Sequence, residues 1–92
     1  MAAKTPDTVT QESMGSLKLH ICNFKSTDID DGDNWTSYIP GIVSVWGQLT
    51  NSPGAVSDTG LTVSVSNFAT GQIYFYTGPD NRNADIYVMS KS

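Results

Sequence analysis

The chain has 92 residues and a formal net charge of −4, with 15% charged against 38% hydrophobic residues. That length holds one domain. Its basic residues, Lys4, Lys18, Lys25, Arg82 and Lys91, are scattered and form no stripe to neutralise phosphates; no apolar run approaches the roughly 18 residues of a membrane span. The composition thus argues against nucleic-acid and membrane partners.

Residues 1–16 are polar, with few apolar side chains and no clear period, and lack the apolar middle of a signal peptide. They read as an N-terminal arm that cannot offset its ordering entropy alone, with Val9 and Met14 as the side chains a partner would pin. Residues 17–92 read as a single β-domain.

Leu17, Leu19, Ile21 and Asn23 alternate with Lys18, His20, Cys22 and Phe24, which predicts the first strand. Residues 26–34 form an acidic loop with Gly32 in a turn position. A short extended piece over 35–39 is halted by Pro40-Gly41. The run 41–49 is the most apolar in the chain: Ile42, Ser44, Trp46 and Gln48 face one way, Val43, Val45, Gly47 and Leu49 the other. Bulk on both faces predicts a central strand.

Residues 50–60 read as a loop. Leu61, Val63 and Val65 alternate with hydroxyl residues as in a strand with one wet face. A turn at 67–71 leads into 72–77, with Ile73 and Phe75 on one face and Tyr74 and Tyr76 on the other. After a second turn at 78–83, residues 85–90 close what reads as a meander. The expected fold is all-β, a small antiparallel β-sandwich or barrel of about six or seven strands with an extended N-terminal arm. The last expected strand ends two residues before Ser92, so surfaces rather than a cleft are expected to do the work.

Several side-chain groupings invite chemistry. Asp28, Asp30, Asp31 and Asp33 could supply carboxylates to calcium, but the twelfth position counted from Asp28 is Ile39 where an EF-hand needs Glu; a solvated acidic loop is the better reading. His20 and Cys22 share a strand face and could pair as imidazole and thiolate. No motif supplies an orienting group or oxyanion hole, so the chain reads as a non-enzyme with no cofactor and no metal. One cysteine permits no intrachain disulfide. Asn34-Trp35-Thr36 matches a glycosylation acceptor, an accidental match without a signal peptide.

Tyr74 and Tyr76 beside Tyr87 would form a flat stacking platform if exposed, and ordinary core if turned inward. Core or a protein interface is favoured over sugar binding, because amphipathic aromatics are common interface anchors.

In order, the chain shows a polar leader, Leu17-Lys18-Leu19-His20-Ile21, Thr27-Asp28-Ile29-Asp30-Asp31-Gly32-Asp33 running into Trp35, Ile39-Pro40-Gly41-Ile42-Val43-Ser44-Val45, and a closing Tyr87-Val88-Met89-Ser90. In length, composition and element order, residues 17–92 resemble small structural proteins of tailed bacteriophages, most like capsid decoration, or cement, proteins. The resemblance implies a non-enzymatic virion protein, made in the host bacterial cytoplasm, that binds the outside of an assembled capsid and stabilises contacts between coat subunits. The partner it implies is the major capsid protein, with further copies of the chain itself as a second option. On that reading Val9, Met14, Leu17, Trp35 and Tyr38 belong to the docking side. The alternative is a carbohydrate-binding or host-adhesion module of a virion tail that uses exposed aromatics; a small hydrolase built on His20 and Cys22 is a more distant one.

Overall fold

In a computed structural model, the described residues are 3–50, 61–78 and 82–91. They form seven strands and no helix: β1 (Thr8–Met14), β2 (Leu17–Ile29), β3 (Asn34–Thr36), β4 (Ile42–Leu49), β5 (Thr62–Asn67), β6 (Gln72–Tyr76) and β7 (Arg82–Lys91). The first sheet runs β1-β2-β7-β4 and the second β3-β6-β5, with every strand pair antiparallel. The fold is the small antiparallel β-sandwich that the alternating pattern predicts. The expected loop over 50–60 lies, apart from Thr50, outside the described residues, as does the middle of the turn over 78–83.

Where residues 1–16 read as an arm without regular structure, Thr8–Met14 pairs along its whole length with β2, from Thr8 opposite Asn23 to Met14 opposite Leu17. The two-residue turn explains why. Gly15 has φ 69° and Ser16 is not among the positive-φ residues, as a type II′ turn requires. Asp7 fixes the other end: its carboxylate accepts hydrogen bonds from the Lys25 and Ser26 amides and the Thr27 hydroxyl. These residues lie where β2 loses register against β7 between Phe24 and Ile29, so a side chain fills the gap in the ladder. Further upstream, Ala3 forms a parallel bridge with Asn34, and Lys4 N–H donates to the Asn34 carbonyl at 2.7 Å. The N-terminal segment thus crosses from the second sheet to the first.

Two expectations about topology are revised. β4 is an edge strand, and β2 and β7 occupy the centre. A bulge at Val43 places Ile42 opposite Ser90 and Val45 opposite Val88, so Ile42 and Val45 both pack on the core while Val43 is exposed. β7 also leaves the meander after the β5–β6 hairpin and inserts between β2 and β4 of the other sheet. Its alternating burial, with Ala84, Ile86 and Val88 inward, supplies the core stripe of the first sheet.

Cys22, Phe24 and β7 from the first sheet meet Trp35, Ile73 and Phe75 from the second. Phe24 packs edge-on against Trp35 (centroids 5.9 Å apart, 76° between planes) and against Phe75 (5.3 Å, 66°). Edge-to-face packing of this kind adds about 0.5–1.5 kcal/mol per pair beyond area burial. At Gly47 a Cβ would lie 2.8 Å from both Leu61 Cδ2 and Ile86 Cδ1, so the missing side chain is what lets β4 close against the second sheet.

Candidate functional site

The acidic segment is solvated at Asp28 and Asp31, which are exposed, but its side chains are also tied into the fold. Asp33 is 1% exposed, accepts from the Asp30 amide at 2.8 Å and meets the Lys4 ammonium at 3.7 Å. Asp31 accepts from the Thr77 and Gly78 amides, and Asp28 from Asn83. These carboxylates tie the β2–β3 turn to β6 and β7. Among the described residues no group of three or more His, Cys, Asp or Glu is placed to hold a metal ion.

Cys22 lies in the core, its thiol pushed up to about 12 by burial, and its nearest polar partner is the His20 carbonyl at 3.9 Å. A thiol so placed supplies no thiolate near neutrality. His20 turns instead to Ser90, with Nε2 2.9 Å from Oγ, and its Nδ1 is buried without a hydrogen-bond partner. Burial, and then the nearby Lys18 ammonium, hold the imidazole below its ordinary pKa.

His20 and Ser90 line a cleft of about 340 Å³. It forms because β3 is only three residues long and covers little of the first sheet's inner face. One wall is β1 and β2, through Val9, Gln11 and Lys18; the other is the chain from Trp35 through Ser37, Tyr38 and Ile39 to Pro40; Lys91 completes the rim. Tyr38 has φ 57° and is 77% exposed. Backbone bonds from the Ser37 and Tyr38 amides to Gly71 and Thr70 fix it there, together with the Ser37 hydroxyl, which donates to the Gly71 carbonyl and accepts from the Ile39 amide. Gly71 has φ 71°, and a Cβ there would run into the Ser37 hydroxyl and the Ile39 amide.

A second surface covers the outer face of the first sheet. Register and alternation place Met14 beside Leu17, Leu19 beside Met89, and Ile21 beside Tyr87, which stands opposite Trp46. The rings of Trp46 and Tyr87 stack with centroids 5.6 Å apart and planes 21° apart. Met14 and Trp46 are 49% and 42% exposed, and the others are half-buried. No described element covers this face.

Of the five docking residues read from the sequence, Met14 and Leu17 fall on this apolar face and Val9 and Tyr38 on the cleft. Trp35 is corrected: at 7% exposure it is core, because a three-residue strand has one inward position and Trp35, opposite Ile73, fills it. The three-tyrosine platform is also corrected. Tyr74 and Tyr76 stack on the outer face of the second sheet, 6.4 Å apart and 15° between planes, whereas Tyr87 lies on the first sheet. Asn34 of the acceptor triplet is in β3, half-buried, with its carbonyl bound to Lys4. Sequence reasoning put the Leu17 strand on the docking side without singling out Leu19 and Ile21, and it missed Trp46, Met89 and the pairing of His20 with Ser90. The strand 17–24 did carry a signal for the first group, since apolar residues occupy both of its faces.

No family model, curated protein or solved structure matches this chain.

Proposed function

We propose that this chain is a non-enzymatic virion structural protein that binds the outside of an assembled phage capsid and stabilises contacts between coat subunits. The observation that carries the reading is the uncovered apolar face of the first sheet. A face bearing Leu17, Leu19, Ile21, Met89 and the stacked Trp46–Tyr87 pair has the composition of a protein interface, rich in aromatic and Met side chains and poor in charge. The capsid itself comes from the resemblance of residues 17–92 to decoration proteins.

β1 supports the same use. All seven of its residues are exposed, it pairs on one side only, and it holds neither Pro nor Lys to guard its free edge. A coat subunit could extend the sheet there by strand addition. Many copies on a shell stabilise the lattice by mass action, because they bind the assembled form and not free coat protein. The partners on this reading are the major capsid protein and neighbouring copies of the chain.

Co-sedimentation with assembled shells, and separately with unassembled coat protein, tests the reading. Stoichiometric binding to shells alone is the expected result. Binding to neither contradicts it.

The adhesion alternative draws on the Tyr74–Tyr76 stack, with Tyr76 47% exposed. Saturable quenching of tyrosine and tryptophan fluorescence by glycans, lost in Tyr76→Ala, is the result that would favour it.

A further inference from the structure

The cleft between β1–β2 and the Trp35–Pro40 segment differs electrostatically from the rest of the molecule. The chain carries nine Asp and Glu against five Lys and Arg, yet no carboxylate lines the cleft, while Lys18 does; Lys91 contributes to the rim, but its register opposite Leu17 turns its side chain toward the outer face. Lys18 has no ion-pair partner among the described residues. Beside it lie the buried His20 and Ser90, 6% and 2% exposed, whose bonded pair leaves His20 Nδ1 unpartnered.

The remaining lining is mostly apolar, with Gln11 and Ser37 as its other polar residues. Trp35, Ile39 and Pro40 form one side and Val9 faces them from β1, with the Tyr38 ring standing at the mouth. That ring is held out by backbone bonds to Thr70 and Gly71 in a conformation that side-chain-bearing residues rarely adopt. An aromatic fixed beside a cleft before any ligand arrives limits the entropy lost on binding. A volume of about 340 Å³ is at the small end of ligand sites.

We propose that this cleft binds a small anion carried on an aromatic ring, of the aryl-carboxylate or aryl-phosphate class. The ring lies between Tyr38 and the apolar wall of Ile39 and Pro40, and the anionic head sits beside the Lys18 ammonium group. An ammonium group acts as a point charge and accepts either head. The site is separate from the outer face of the first sheet and does not rest on the capsid reading.

The test is titration of the intact protein with phenylacetate, phenyl phosphate, neutral phenylacetamide and inorganic phosphate, followed by amide chemical shifts. Phenylacetate or phenyl phosphate is expected to give saturable shifts at Tyr38, Ser90 and Lys91. The better of the two should bind at least about fivefold more tightly than phenylacetamide, the scale of a partly exposed charge contact. Which of the two binds better assigns the head group. In the Lys18→Gln variant the advantage over phenylacetamide is expected to vanish, while Lys25→Gln, outside the cleft, retains it. Equal binding of phenylacetamide, equal shifts from inorganic phosphate alone, or no saturable shift up to about 10 mM would overturn the proposal.

Discussion

Trp46 and Tyr87 lie directly opposite each other on neighbouring strands and stack at 5.6 Å, on the face of the first sheet that no described element covers. In a domain of this size a stacked aromatic pair is expected to be drawn into the core. Here the core is filled by Phe24, Phe75, Trp35 and the aliphatic stripe of β7, and the pair is left at the surface. The position separates interface from stability, since its loss removes little packing from the interior.

Trp46→Ala is accordingly expected to lower unfolding free energy by only about 1 kcal/mol, the scale of an exposed stacked pair, measured by urea denaturation. Phe24→Ala removes a fully buried ring that touches two others and should cost about 3–5 kcal/mol. If the two variants lose similar amounts, the assignment of Trp46 to an interface is wrong.

Asp7 governs the docking of β1. Hydrogen bonds from the Ser26 amide and then the Thr27 hydroxyl hold its carboxyl below the ordinary value of 3.8. Because the folded pKa is depressed, the stabilisation is present above 3.8 and is lost as pH falls through the folded value. Amide protection factors in β1, taken relative to the intrinsic exchange rate at each pH, should therefore fall on acidification below 3.8, ahead of those in β7. Asp7→Asn should show the lowered β1 protection already at neutral pH, with the core amides still protected.

His20 is held neutral by burial, with a pKa below 6.5. Below 6.5 the unfolded chain takes up a proton that the folded one refuses, so stability falls as pH drops from 6.5 toward the folded pKa. Thermal denaturation should show this slope in the wild type and lose it in His20→Gln. Ser90→Ala leaves the imidazole without its partner and is expected to cost about 1–3 kcal/mol.

The Cys22 thiol, pushed up to about 12 and fully buried, should react with a thiol reagent at neutral pH only at the rate of unfolding. Labelling is expected to speed up in step with added urea. Rapid labelling of the native protein would restore the nucleophile reading that the geometry removes.

Gly47 and Gly71 make complementary demands. Gly47→Val would drive a side chain into Leu61 and Ile86 and should destabilise by about 1–3 kcal/mol through overpacking. Gly71→Ala meets both a positive φ and the Ser37 hydroxyl; it should free Tyr38 from its fixed position at the cleft, visible as altered amide shifts at 37–39.

The period-two pattern made the strands and the all-β class legible, because alternation depends only on local backbone geometry. It could not place them in sheets. The run 41–49 was apolar on both sides, which normally marks a strand covered on two faces. In the fold Trp46 belongs to an uncovered face, so apolar content signalled a surface patch and not a central position. The strand 17–24 carried the same ambiguity. β7 reads as the next strand of a meander, and its insertion between β2 and β4 depends on pairings distant in sequence that no local signal encodes. Trp35 read as a docking aromatic through the resemblance, and its burial follows from register against Ile73. The N-terminal segment read as an arm because its composition is polar; Asp7 and the Gly15 turn supply the pairing that hydrophobicity does not.

The central claim, that the outer face of the first sheet docks the chain on an assembled shell, is tested most directly by comparing the wild type with a Leu19→Lys, Trp46→Lys double variant in co-sedimentation with capsid shells. Both substitutions lie on the uncovered face, and a native-like amide spectrum establishes that the variant folds. The account predicts that the wild type saturates shells and ignores free coat protein, while the folded variant stays in the supernatant. Wild-type protein that fails to bind shells, or a variant that binds them as well as the wild type does, would contradict it.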